Sequence, residues 1–228
     1  MQIDEVELAG FVKISKDTDA LLVVDMQNDF LPNGALPVID GDKIVPGINY
    51  LSAKFHQIEN PIVFTQDWHP PDHFSFASTH PGKSPYDPIS EIEGIGPILW
   101  PDHCVQGTHG ANFAPRLQTV NATLILRKGF HKTIDSYSAF LENDRNTETG
   151  LKTYLEAVGI NRVFICGLAL DYCVYFSSID AKSFAELEVV LVLDLTKPVN
   201  SPEDSVSNAL QDMKDHNILF VSSDQILS

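Results

Sequence analysis

The chain has 228 residues, 43% of them hydrophobic and 20% charged, a balance that excludes a disordered chain and suits one large α/β domain. Fifteen Lys and Arg against 31 Asp and Glu leave a formal charge of −16. That excess argues against nucleic acid and anionic membrane surfaces as partners and suits a neutral or cationic small ligand.

No apolar run approaches the roughly 20 residues that a membrane-spanning helix needs. The opening MQIDEVELAG is acidic and lacks the basic-then-apolar pattern of a secretion signal, so the cytoplasm is the expected compartment. Three cysteines, Cys104, Cys166 and Cys173, are too few for a disulfide framework and are expected as free thiols.

In chain order, short apolar runs alternate with helical patterns, as in repeated βα units. The first strand is predicted over Ala20 to Asp25, followed by a helix over Ile44 to Gln57. A second strand, Pro61 to Gln66, leads into an irregular stretch from Asp67 to about Thr119, rich in Pro, Gly, His and Trp. A long irregular segment inside a compact domain is usually functional. A strand over Ala122 to Arg127 precedes a helix over Thr147 to Val158, ended by Gly159. Then come a strand over Arg162 to Gly167, a helix over Asp171 to Phe184 and a strand over Glu188 to Asp194. The last helix is expected over Ser201 to Asp215, with Ser201 as N-cap and Pro202 at its first position, before a strand over Asn217 to Ser222. The strands are continuously apolar, so both of their faces are expected to be covered. The expectation is a single domain over residues 1–228: a doubly wound, six-stranded parallel sheet with helices on both faces.

Parallel strands end along one edge, so polar residues at their C-terminal ends can converge from afar in sequence. Asp25 closes LLVVD, Lys128 closes TLILRK, and Cys173 lies just beyond VFICG at the start of a predicted helix. A thiol there feels the positive end of the helix dipole, and a nearby ammonium would lower its pKa further. Each residue also has a bland reading: a turn with a helix cap for Asp25, a solvated lysine for Lys128, a buried structural cysteine for Cys173. Cys166, inside an apolar strand, takes that bland reading, and Cys104 stays open because it adjoins a histidine. In Asp67-Trp68-His69, residues two apart on an extended segment face one side and can grip one ion. A third ligand from elsewhere, such as His103, would complete a two-His, one-carboxylate set with positions left open.

Together VVDMQNDF, QDWHPPDHFSFA, WPDHCVQGTHGA, the lysine of RKG and GLALDYCV resemble the nicotinamidases of the isochorismatase-like cysteine hydrolase superfamily, in order from about Ala20 to Asp194. The resemblance implies a catalytic triad of Asp25, Lys128 and Cys173, and metal ligands Asp67, His69 and His103, with His73 in reserve. The implied cofactor is one divalent metal, Zn2+ first, with Fe2+ or Mn2+ as alternatives. Phe30 and Trp100 fall on positions that sandwich a pyridine ring, and Tyr137 and Tyr172 are expected in the same substrate pocket. Leu168-Ala169 matches a pair joined by a cis peptide, which would turn the Ala169 amide toward the substrate beside the Cys173 amide. The implied activity is conversion of nicotinamide to nicotinate and ammonia, in NAD salvage, with pyrazinamide as an analogue and a homo-oligomer as the assembly. The nearest alternative is another amidohydrolase of the superfamily, acting on a different small amide. GLALDYCV departs from the more frequent GxxTxxCV, which has Thr where this chain has Leu170 or Asp171, and Ser84 to Leu99 is longer than in compact bacterial relatives.

Overall fold

A computed structural model describes residues 3–89 and 92–227. In chain order its elements are β1 (Val12–Lys13), β2 (Asp19–Val24), α1 (Val45–Gln57), β3 (Ile62–Asp67), β4 (Leu124–Lys128), α2 (Leu151–Ala157), β5 (Arg162–Leu168), α3 (Cys173–Ser183), β6 (Glu188–Lys197), α4 (Ser205–Asp215), β7 (Leu219–Val221) and β8 (Ile226–Leu227). Six strands form one parallel sheet in the order β4-β3-β2-β5-β6-β7, and β1 pairs with β8 in a small ribbon. The predicted doubly wound α/β architecture is therefore the observed one.

From β2 the chain steps outward to β3 and β4, and from β5 it steps the other way to β6 and β7. Right-handed crossovers then put α1 on one face of the sheet and α2, α3 and α4 on the other. The latter three are tied together: Lys152 of α2 donates to the Phe184 carbonyl behind α3, and Tyr175 of α3 donates to Asp212 of α4. The strand order reverses between β2 and β5, whose ends are in register at Val24 and Gly167. Open α/β sheets bind ligands beyond such a reversal. Gly167 is required there, because a Cβ on it would lie 2.1 Å from the Val24 carbonyl oxygen.

Strands β2 and β3 are buried at every residue, as continuous apolar runs covered on both faces must be. Strand β4 differs. It is the sheet edge, its residues alternate in exposure, and Ile125 is 47% exposed, so only one face is covered. Helix α3 starts at Cys173 instead of Asp171, and α4 at Ser205 instead of Ser201. One side chain explains both shifts. The Asp171 carboxylate accepts the amides of Val199 and Asn200 and the Ser205 hydroxyl, which keeps 199–204 out of the helix. Pro202 consequently lies before α4, behind a cis Ser201–Pro202 bond, and not at its first turn. Helix α2 is shorter than expected because Thr147 and Glu148 pair back on Glu142 and Leu141.

Asp67 closes β3, and the described residues beyond it as far as Thr119 are irregular as expected, with a 3-10 turn at Ala77–Thr79. This stretch is stitched across the strand ends. Gln27 and Gln66 both donate to the Ala111 carbonyl, Asn28 N donates to Asn112, and Ala114 N donates to Met26. No helix among the described residues is long and apolar enough to cross a membrane.

Candidate active site

Asp25 leaves the end of β2 in a left-handed conformation, φ +46, fully buried. Thr65, inside β3, anchors it twice: the hydroxyl donates to Asp25 Oδ1 at 2.6 Å and accepts the Asp25 amide at 3.1 Å. Lys128, the last residue of β4, is also fully buried. Its ammonium lies 2.9 Å from Asp25 Oδ2, donates to Asp67 Oδ1 and to the Ser136 carbonyl, and approaches Cys173 Sγ at 3.4 Å. Burial alone would pull the ammonium toward neutrality, but Asp25 and Asp67 outweigh it and hold Lys128 charged.

Cys173 opens α3. Burial pushes its thiol well above the ordinary cysteine value; Lys128 pulls it down, and Asp67 and Asp25 push it up again. This corrects the expectation that helix end and ammonium together favour the thiolate. The sulfur keeps its proton until a base removes it, and Asp25 is hydrogen-bonded to it. The Leu168–Ala169 peptide is cis, and among the described residues neither the Ala169 nor the Cys173 amide donates a hydrogen bond.

The second half of the site comes from the irregular segment. Gln27 fixes Asp67 by two reciprocal bonds, accepting its amide at 2.8 Å and donating to its carbonyl at 2.8 Å. Asp67 Oδ1 faces Lys128, while Oδ2 lies 3.8 Å from His69 Nε2 and 3.9 Å from His103 Nε2. Both imidazoles donate through Nδ1 to carbonyls, His69 to Gly129 at 2.7 Å and His103 to Pro101 at 2.8 Å, which leaves each Nε2 a lone pair. Burial lowers the pKa of both, so they are neutral, as metal-binding imidazoles are. The donor atoms of Asp67, His69 and His103 lie within 4.8 Å of one another, and this set suits a divalent ion. His73 lies beside them, its ring 4.3 Å from that of His69, but Nε2 faces the Ile134 carbonyl and Nδ1 faces Ser75.

Between the two halves is a small, mostly apolar pocket. Phe30, Trp100, Tyr137, Ala169, Tyr172 and Cys173 line it together with Asp67 and His103. Trp100 donates through Nε1 to Tyr137 Oη at 2.9 Å and packs edge-on to Tyr172, ring centres 4.9 Å apart. The Leu168 side chain is fully buried outside this lining and points at Gly41, so only its peptide bond reaches the site. Leu36, Asp135 and Val199 also line the pocket and were not anticipated. Asp171 and Tyr172 fasten Val199 in place: Asp171 accepts its amide, and the Tyr172 hydroxyl donates to Ser201 O. Leu36 and Val199 look like ordinary apolar loop residues in sequence, and Asp135 carries no signal beyond lying two residues before Tyr137. Cys104 is buried with its amide on Asp29, outside the metal trio, and Cys166 sits inside β5, its thiol pushed up by burial.

The chain matches the isochorismatase domain family over residues 19–225. It is 48% identical over 208 residues to a nicotinamidase of Acinetobacter baylyi, covering 91% of this chain and 94% of that one. Among solved structures it resembles a nicotinamidase/pyrazinamidase of Acinetobacter baumanii, with TM-score 0.87, 43% identity, and 92% and 99% of the two chains covered. It also resembles a pyrazinamidase of Pyrococcus horikoshii solved in complex with zinc, with TM-score 0.71, 38% identity, and 90% and 98% covered. The chain belongs to the isochorismatase-like hydrolase family.

Proposed function

We propose that this protein, as one domain over residues 1–228, hydrolyses nicotinamide to nicotinate and ammonia through a thioester on Cys173. The observation that carries this reading is the meeting of Asp25, Lys128 and Cys173 beside a two-His, one-Asp donor set on one ring-sized pocket. The names of the relatives support the substrate, and their small amides are neutral, as the acidic chain favours.

In this mechanism Asp25 takes the Cys173 proton as sulfur bonds to the carboxamide carbon. The Ala169 and Cys173 amides hold the resulting oxyanion; losing one such donor typically costs about 10²–10³ in rate. The proton passes from Asp25 to the amide nitrogen, the C–N bond breaks and ammonia leaves. Water then gives a proton to Asp25 and attacks the thioester carbon, the C–S bond breaks, and the thiol takes that proton back. Lys128 balances Asp25 throughout. Phe30, Trp100, Tyr137 and Tyr172 hold the ring and keep bulk water out. Asp67, His69 and His103 would hold a divalent ion, zinc first with iron or manganese as alternatives, which would supply a Lewis acid for the pyridine nitrogen. The zinc of the Pyrococcus relative supports that choice. The resemblance further implies a homo-oligomer.

The test is ammonia release from nicotinamide by the purified protein, with and without a chelator, against a panel of other small amides. Nicotinamide and pyrazinamide are expected to be cleaved, chelation to raise KM or remove activity, and Cys173→Ala to lower turnover by about 10⁴ or more with the fold intact. Substantial turnover by Cys173→Ala refutes the thioester route, and stronger cleavage of a non-aromatic amide refutes the substrate.

A further inference from the structure

Four potential ligand atoms converge on one side of the pocket. Each Nδ1 of His69 and His103 is committed to a carbonyl, so both Nε2 atoms present lone pairs. Asp67 Oδ2 faces them at 3.8 and 3.9 Å. The fourth acceptor is Asp135 Oδ1, 3.9 Å from His69 Nε2. Asp135 is only 2% exposed and lines the pocket. Among the described residues no Lys or Arg pairs with it: Oδ1 accepts the Ser136 amide at 2.8 Å and faces His69, and Oδ2 takes no hydrogen bond. A carboxylate buried beside other acceptors is costly unless a cation or a water proton compensates it.

Its position differs from that of the three expected ligands. Asp67, His69 and His103 form one cluster of donor atoms, and His69, His73 and Asp135 form another, each within 4.8 Å. They share only His69, so Asp135 lies outside the first trio and adjoins it through that imidazole. The loop that carries it is firmly placed. The Asp135 amide donates to the Gly94 carbonyl, its own carbonyl accepts Asn143 N, and the next residue offers its carbonyl to Lys128.

We propose that Asp135 is a positioning residue of the metal centre: its carboxylate accepts a hydrogen bond from a water that completes the ion's shell, and its charge raises the affinity of the site for a divalent cation. This rests on the metal reading given under Proposed function. Outer partners of this kind typically contribute 10–100-fold in metal affinity.

Asp135→Asn is the discriminating substitution, because the amide retains an oxygen for the Ser136 N–H while losing the charge. Zinc affinity is measured by chelator competition on the purified protein, alongside wild type and Asp67→Asn, with thermal melts of the metal-free proteins. The expected result is zinc affinity about 10–100-fold weaker in Asp135→Asn. The metal-free melt is expected to be unchanged or higher, since one of several crowded carboxylates has lost its charge. Zinc affinity within about threefold of wild type overturns the proposal, as does failure of the variant to fold or a lower metal-free melt, either of which makes the carboxylate structural. If wild type binds no zinc, or Asp67→Asn binds it as tightly as wild type, the metal reading itself falls, which is a separable failure.

Discussion

The two walls of the pocket are built in different ways. One wall is made of strand ends: Asp25 after β2, Lys128 closing β4, and Cys173 just beyond β5. Their spacing follows from ladder register, with Thr65 holding Asp25 Oδ1 and the Lys128 ammonium facing Oδ2 at 2.9 Å. The opposite wall is made of irregular chain, with His69 and His103 aimed by carbonyls of Gly129 and Pro101. The first wall is thus part of the folding core, whereas the second is a surface held by a few hydrogen bonds. Breaking the buried ion pairs of the first costs stability and chemistry together, while the second can lose function with the core intact.

The sharpest way to break that contrast is Lys128→Met. It leaves Asp25 and Asp67 facing each other without their shared cation, and losing one partner of a buried ion pair costs about 3–5 kcal/mol. Chemical denaturation is expected to show that loss along with absent turnover; a variant of wild-type stability contradicts the contrast. Gly129→Ala probes the other wall. At φ +64 a side chain is strained by about 1–2 kcal/mol, and the new Cβ would lie 2.6 Å from His69 Cε1. Zinc affinity is expected to fall at least about tenfold by chelator competition, consistent with a displaced ligand, while Cys173 still labels with a thiol reagent. The smallest effect is expected from Tyr137→Phe, which removes the acceptor of the Trp100 indole. With a hydrogen bond worth about 0.5–1.5 kcal/mol, KM is expected to rise about 2–10-fold with kcat little changed; an unchanged KM shows that Trp100 is held by packing alone.

The same contrast governs what could be read in advance. Strands β2, β3 and β5 announce themselves because burial on both faces demands unbroken apolar runs. Residues at their ends were therefore legible as one edge, and Asp25, Lys128 and Cys173 do meet there. Helix starts were less legible. Ser201-Pro202 has the local chemistry of a helix start, yet Asp171, about thirty residues earlier, claims the two amides just before it and the Ser205 hydroxyl just beyond it. The thiol's acidity was misread for a related reason, since local cues favour the thiolate and only the packed structure shows burial to be the larger effect. Asp135, Leu36 and Val199 reach the pocket through contacts made far away in the chain, and no periodicity marks them.

The Asp171 latch has a consequence for how this scaffold changes its diet. One side chain, two residues before the nucleophile, grips a short stretch that supplies a piece of the opposite lining. That stretch can be exchanged as a cassette: its own residues set the cavity's outline, while the grip that registers it against the sulfur stays behind on the host. Divergence toward larger or smaller rings can therefore proceed in this cassette without disturbing the bond-making atoms.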